Sequence, residues 1–239
     1  LALACNIANA IADPTNYTNT SPAVQTLGVV VTTSQGCTSV TTLDIRVLPI
    51  PEPNTDPAPL APQCDYNLPG DMLETFDLTV NAAYIMNGDP SLTLEYYPTQ
   101  ADAIAQTNQI MTPSTALVGG NVWIRVENNR VDYLGNNCYV LVEQALTVNP
   151  LPVISTIADY QICEDDVLVN DGFEVFDLTS QAAALLASNP TTSTYTLTYH
   201  TATPPTGANQ ITTPSAYTNI TNPQTIYVVA TNDTTGCRS

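Results

Sequence analysis

An all-β fold, laid out as tandem β-sandwich domains that each carry one short helix and together make a rod, is what this sequence predicts. Three observations carry that expectation. First, 74 positions separate Cys64 from Cys138 and also Cys163 from Cys237, and each member of the first pair returns 99 positions later. Second, the period extends to other residues: FDLT at 76–79 returns at 176–179, and TPS at 112–114 returns at 213–215, which marks an internal repeat. Third, runs such as YTLTYHT from Tyr195, TIYVVATN from Thr225 and QALTVNP from Gln144 alternate or cluster β-branched and aromatic residues between Pro, Asn, Gly and Asp. Short strands bounded by turn residues are the mark of an antiparallel sandwich.

Taken in order, residues 1–48 read as the C-terminal half of a first repeat, because the stretch from Tyr17 to Cys37 runs parallel to that from Tyr217 to Cys237. The second repeat spans 49–150 and opens on a proline-rich joint, residues 49–62, whose composition favours an extended polyproline path. Pro49 and Pro51 recur in phase as Pro150 and Pro152, so the joint is expected to repeat and to be semi-rigid. Within each repeat one alanine-rich segment, VNAAYIMNGDP or SQAAALLASNP, has apolar positions three and four apart. Each reads as a short helix closing one end of the sandwich, with Ser180 as N-cap and Pro190 as its stop. In FDLT the alternation sends Phe76 and Leu78, or Phe176 and Leu178, into the core. The third repeat, 151–239, lacks a counterpart of YVLVEQALTVNP, the expected last strand of the second. Both ends therefore read as cuts in a longer array, with that strand supplied by the chain's own continuation or donated by a neighbour, the first being favoured.

Composition narrows the function. Net charge is −18 from 22 acidic residues against four basic ones, Arg46, Arg125, Arg130 and Arg238, with no lysine. So few cations cannot neutralise phosphates, which excludes nucleic acid and anionic lipid as partners. Cations, neutral glycans, proteins or other copies of the chain remain. A hydrophobic content of 44% excludes a disordered tail, and no apolar run is long enough to cross a bilayer.

The paired cysteines point to an oxidising, extracellular compartment. Their shared spacing predicts two bonds, Cys64 to Cys138 and Cys163 to Cys237, each inside one domain, and each worth on the order of 4 kcal/mol of unfolded-state entropy. Zinc is disfavoured because no C-x2-C knuckle occurs and His200 is the sole histidine. Without lysine there is no lysine-to-asparagine isopeptide clamp. Cys37 falls in phase with Cys138 and Cys237, whereas Cys5 has no counterpart; a local bond to Cys37 and a bond to a residue upstream both stay open.

The NPLPV joint, the cysteine followed by EDD and NDG, FDLT, the TIYV strand and the terminal TTGC together resemble the tandem immunoglobulin-like repeats of giant Bacteroidota surface proteins. That resemblance covers nearly the whole chain and implies an immunoglobulin-like sandwich, export by the type IX route, and service in cell adhesion or as a surface filament. It brings no catalytic residues. The second repeat departs from it with NNC in place of TGC and an insertion from Asn128.

Candidate sites are few. Acidic residues gather after each first cysteine: Asp65, Asp71, Glu74 and Asp77, then Glu164, Asp165, Asp166, Asp171, Glu174 and Asp177. Asp165, Asp166, Asp171 and Glu174, with Asp65 and Asp71, are the candidate calcium ligands, since clustered carboxylates suit a hard cation; the plain alternative is a solvated acidic loop. No other cofactor is expected. His200 sits in phase with Tyr97 (LTYH against LEYY), so a strand position accounts for it better than a catalytic base. Trp123 aligns with Tyr227 and Leu27, which makes it a core residue. The N-x-S/T sequons at Asn16, Asn19, Asn219 and Asn232 are what a Thr- and Asn-rich chain produces by chance. The expected function is thus a non-enzymatic structural or adhesive stalk. The alternatives are a protomer of a self-assembled fibre and a spacer in a secreted hydrolase.

Overall fold

The structure, a computed structural model, describes residues 10–164 and 171–239. In chain order the strands are β1 (Val24–Thr32), β2 (Thr38–Arg46), β3 (Gln63–Cys64), β4 (Leu73–Asp77), β5 (Thr93–Tyr97), β6 (Ser114–Val118), β7 (Gly120–Val131), β8 (Asn137–Leu146), β9 (Val148–Asn149), β10 (Val175–Phe176), β11 (Tyr195–His200), β12 (Tyr217–Thr218) and β13 (Tyr227–Asn232). The helices are α1 (Ala82–Ile85), α2 (Gln100–Ala105) and α3 (Ala182–Leu185). The fold is all-β, as expected. The described residues divide into two compact units: one holds those up to Ala58 with Leu78–Met111 and Asn121–Gln144, the other Pro59–Asp77, Thr112–Gly120 and Ala145–Ser239.

In the first unit, β1 and β2 form an antiparallel hairpin with Val24 opposite Arg46, and β5, β7 and β8 form a three-stranded sheet. β5 runs antiparallel to β7 with Tyr97 opposite Trp123. Leu78, Ile85, Tyr97, Ile124, Val126 and Val142 are all buried. The proline-rich segment is not a bare spacer here, because side-chain amides hold it along its length. Asn128 Nδ2 donates to the Pro49 carbonyl at 3.0 Å, Asn87 Nδ2 to that of Glu52 at 3.1 Å, and Asn81 Nδ2 and Gln144 Nε2 to that of Ala58 at 2.8 and 3.0 Å. Proline supplies no donor and leaves carbonyls to be satisfied, and the asparagines meet them.

The second unit contains the parallel pair β3–β9, the antiparallel pair β4–β6 and the whole described part of the third repeat. In that repeat the two sheets β10–β12 and β11–β13 share one core: Leu178, Leu185, Tyr199 and Ile211 are buried, with Phe176, Leu197, Tyr217 and Val228 packed on them. This is a small sandwich. FDLT does what the alternation requires, with Phe76 and Leu78 buried and Leu178 beside a half-buried Phe176.

The repeats agree in fine detail. His200 faces Tyr227 as Tyr97 faces Trp123, and the Ser155 amide bonds the Leu185 carbonyl as the Asn54 amide bonds that of Ile85. Gln25 Nε2 donates to Tyr17 Oη at 2.8 Å, and Gln224 Nε2 to Tyr217 Oη at the same distance. Two helical expectations need correction. Asp177, not Ser180, caps the third repeat's helical segment, accepting from the Thr179 amide at 3.0 Å, while the Ser180 hydroxyl donates back to the Asp177 carbonyl. The second repeat also has a further helix, α2, capped by Thr99, whose hydroxyl accepts from the Asp102 amide. The Thr-x-x-Asp spacing at 99–102 is a helix-start signal; the third repeat has Pro204 and Pro205 in the matching loop.

Candidate functional site

Chain geometry places two cysteines of different repeats together. Cys64 lies in β3, which the parallel pairing with β9 fixes: Gln63 N donates to Thr147 O at 2.9 Å and Asp65 N to Asn149 O at 3.0 Å. The turn after it is tied down by carboxylates. Glu74 accepts from the Tyr66 and Asn67 amides at 2.6 and 2.8 Å, and Asp65 Oδ2 from that of Gly70 at 2.6 Å. Asp65 is 1% exposed, and its Oδ1 is the one buried side-chain polar atom among the described residues without a hydrogen-bond partner.

Cys237 ends the tight turn after β13. Asn232 organises that turn: its amide donates to the Cys237 carbonyl at 2.8 Å, and its Oδ1 accepts from Thr234 and Thr235 at 2.9 and 3.2 Å. Gly236, at φ +74°, occupies the left-handed position that glycine adopts without steric cost. Cys237 is fully buried, and its sulfur is bonded to that of Cys64 with Cα atoms 5.6 Å apart. Next to the bridge, the Arg238 amide donates to Tyr66 Oη at 3.4 Å.

The bond overturns both pairings that the spacing suggested. Cys64 does not bond Cys138, nor Cys163 Cys237; Cys138 is a half-buried free thiol, while Cys163 and Cys37 are exposed free thiols. The reason is arithmetic. The observed separation of 173 is 74 plus one period of 99, so a ruler that repeats every 99 residues fits a bond within a repeat and a bond to the next repeat equally well. Turn geometry would have separated them. Cys37 accepts at its carbonyl from the Thr33 amide just as Cys237 does from Asn232, whereas in the second repeat Asn136 takes that place through Asp132 and Cys138 falls two residues later. The longer β7 and its insertion cause the offset. Cys5 lies outside the described residues.

Of the candidate calcium ligands, Asp65, Asp71, Asp171 and Glu174 are among the described residues. Asp71 Oδ1 accepts from the Leu73 amide and Asp171 Oδ1 from that of Phe173, the same turn in both repeats. The Asp171 amide in turn donates to Glu164 Oε1 at 2.7 Å, and Glu174 Oε2 accepts from Val175. These carboxylates are turned to backbone donors. Asp165 and Asp166 lie outside the described residues, and among those described no three His, Cys, Asp or Glu side chains converge as a metal site. His200 is buried in β11, its ring within 3.0 Å of Thr198 Oγ1 and Asn209 Oδ1. Trp123 is half-buried. Asn219 is buried, with its amide nitrogen given to the Gly172 and Thr221 carbonyls.

A bond from the first cysteine of one repeat to the second cysteine of the next is the deciding observation. The chain belongs to the Flavobacterium inter-domain disulphide bond domain family. The match covers residues 1–51, 60–152 and 159–239, one for each repeat read from the sequence. Membership places the chain among disulfide-linked multidomain extracellular proteins of the Flavobacteriia, within the Bacteroidota. No curated protein and no solved structure matches it significantly. No helix among the described residues is long and apolar enough to cross a membrane.

Proposed function

We propose that the chain is a non-enzymatic structural segment of a long surface protein, an adhesive stalk whose repeats are laced by staggered disulfides. The observation that carries the reading is the Cys64–Cys237 bond beside free thiols at Cys138 and Cys163. Extended along an array, the rule joins Cys163 to the second cysteine of the following repeat, and Cys138 to the first cysteine of the preceding one. Consecutive loops then overlap by a repeat, so no junction lies outside a covalent loop. Such lacing suits a protein that transmits tension, because stretching the chain cannot draw out residues enclosed by a bridge. The surrounding side chains support a structural role. His200 is spent on strand and loop contacts, and the carboxylates near the cysteines hold backbone turns.

Lateral assembly of such segments into a fibre is the second reading. Delivery by the type IX route and partners on a target surface, glycan or protein, belong to the same proposal.

Single-molecule stretching between the termini tests it. Under oxidising conditions the 173-residue span of the bridge stays closed, and reductant releases about 600 Å of extra contour length. Unfolding lengths indifferent to reductant would overturn the lacing.

A further inference from the structure

We propose that Asn87 is a self-modifying site: in water the Asn87–Gly88 pair converts to aspartate or isoaspartate, and the conversion releases the proline-rich joint of the second repeat. It is the one Asn-Gly pair in the sequence, and it lies in the turn that follows α1. This inference does not depend on the disulfide reading.

The turn presents the two groups that react. Asn87 at φ +50° and Gly88 at φ +77° both lie in the left-handed region. The Asn87 amide donates to the Tyr84 carbonyl at 3.1 Å, and the Asp89 amide closes the turn on the Met86 carbonyl at 2.9 Å. Both Asn87 and Gly88 are exposed, as are Ala187 and Ser188 in the same turn of the third repeat, so water reaches them. The Gly88 amide donates to no acceptor among the described residues, and glycine has no Cβ to hinder approach to the neighbouring side chain. In the reaction the Gly88 nitrogen gives up its proton and attacks Asn87 Cγ. The new nitrogen–carbon bond closes a cyclic imide, the Cγ–Nδ2 bond breaks, and Nδ2 leaves as ammonia with that proton. Water then adds to either imide carbonyl and opens the ring, leaving aspartate or isoaspartate.

The atom lost is the atom that holds the joint, because Asn87 Nδ2 donates to the Glu52 carbonyl at 3.1 Å. The product sets a carboxylate against that carbonyl, two acceptors with no proton between them. Glu52 stands between Pro51 and Pro53, and proline offers no donor in exchange. The third repeat supplies the contrast. There Asn189 donates to the Val153 carbonyl at 2.6 Å and accepts from the Val153 amide at 2.8 Å. Asn189 is followed by Pro190, whose nitrogen has no proton to lose, so this clamp is closed to the same route. One clamp is labile and its counterpart inert.

The test is incubation of the folded 239-residue chain in mildly alkaline buffer, followed by peptide mapping in a mass spectrometer. Amide exchange is read in parallel at Asn54 and Ser155, whose amides donate to the Ile85 and Leu185 carbonyls. Asn87 is expected to give a mixture of aspartate and isoaspartate at least about tenfold faster than Asn81, Asn128 or Asn189 react, since glycine alone leaves the attacking amide unhindered. Exchange at Asn54 should quicken in step with the conversion, and exchange at Ser155 should not. Asn87→Asp should show the fast Asn54 exchange from the outset. An Asn87 that stays intact, or that converts no faster than the other asparagines, overturns the proposal. So does aspartate without isoaspartate, the mark of direct hydrolysis, and so does an Asn87→Asp protein with unchanged exchange at Asn54.

Discussion

Cys64 and Cys237 stand 173 residues apart in sequence and 5.6 Å apart at Cα, covalently joined. Each is presented by its own local device, Cys64 by the β3–β9 pairing and Cys237 by the Asn232-centred turn, so the bond closes two separately ordered pieces of backbone.

Removing the bond should be costly because the loop is long. In the chain-entropy description a loop of this size is worth up to about 5 kcal/mol. Cys64→Ser and Cys237→Ser should each lower the urea midpoint by similar amounts, and the double variant should lie close to either single one. Additive losses would mean that the two sulfurs stabilise the fold independently.

Thiol reactivity should follow exposure. The 239-residue chain by itself, treated with iodoacetamide, is expected to label at Cys37 and Cys163, which are exposed, while Cys64 and Cys237 label only after reduction. Native labelling at Cys237 would contradict the buried bridge.

Much of this was legible in the sequence, and the miss has a definite cause. The period identified the repeats and the core positions of FDLT, because burial recurs wherever the same strand recurs. It could not choose between bonds that differ by one period. The hold of Asn81, Asn87 and Asn128 on the proline-rich segment was illegible, because it depends on side chains 23 to 79 residues away. The additional helix α2 was legible in principle from Thr99 and Asp102.

The second repeat buries a charge pair, and a buried pair is sensitive to loss of one partner. Arg125 Nε donates to Glu127 Oε1, Arg125 Nη1 to the Ala103 carbonyl at 3.0 Å, and the guanidinium lies 3.5 Å over the Tyr139 ring. Asn137 Nδ2 donates to Glu127 Oε2. Glu127→Ala strands a buried cation and should cost roughly 3–5 kcal/mol. A paired Arg125→Met, Glu127→Leu change should cost less than Glu127→Ala alone in chemical denaturation.

Alkaline stability should depend on Tyr97. Burial, then its hydrogen bond to Glu95, pushes the Tyr97 hydroxyl up to about 12. A raised pKa means that the folded state keeps a proton the unfolded chain has lost, so this contribution is whole below about pH 10 and fades as pH rises through about 12. Tyr97→Phe should flatten the fall in stability across that window. Ultraviolet titration of the native protein should show Tyr97 ionising late among the 12 tyrosines.

Non-reducing peptide mapping tests the account most directly. With no lysine and four arginines in the chain, cleavage at acidic residues gives the useful fragments. The expected result is a linked pair containing Cys64 and Cys237, with neither Cys138 nor Cys163 linked to either of them. Recovery of Cys64 with Cys138 and of Cys163 with Cys237 would contradict it.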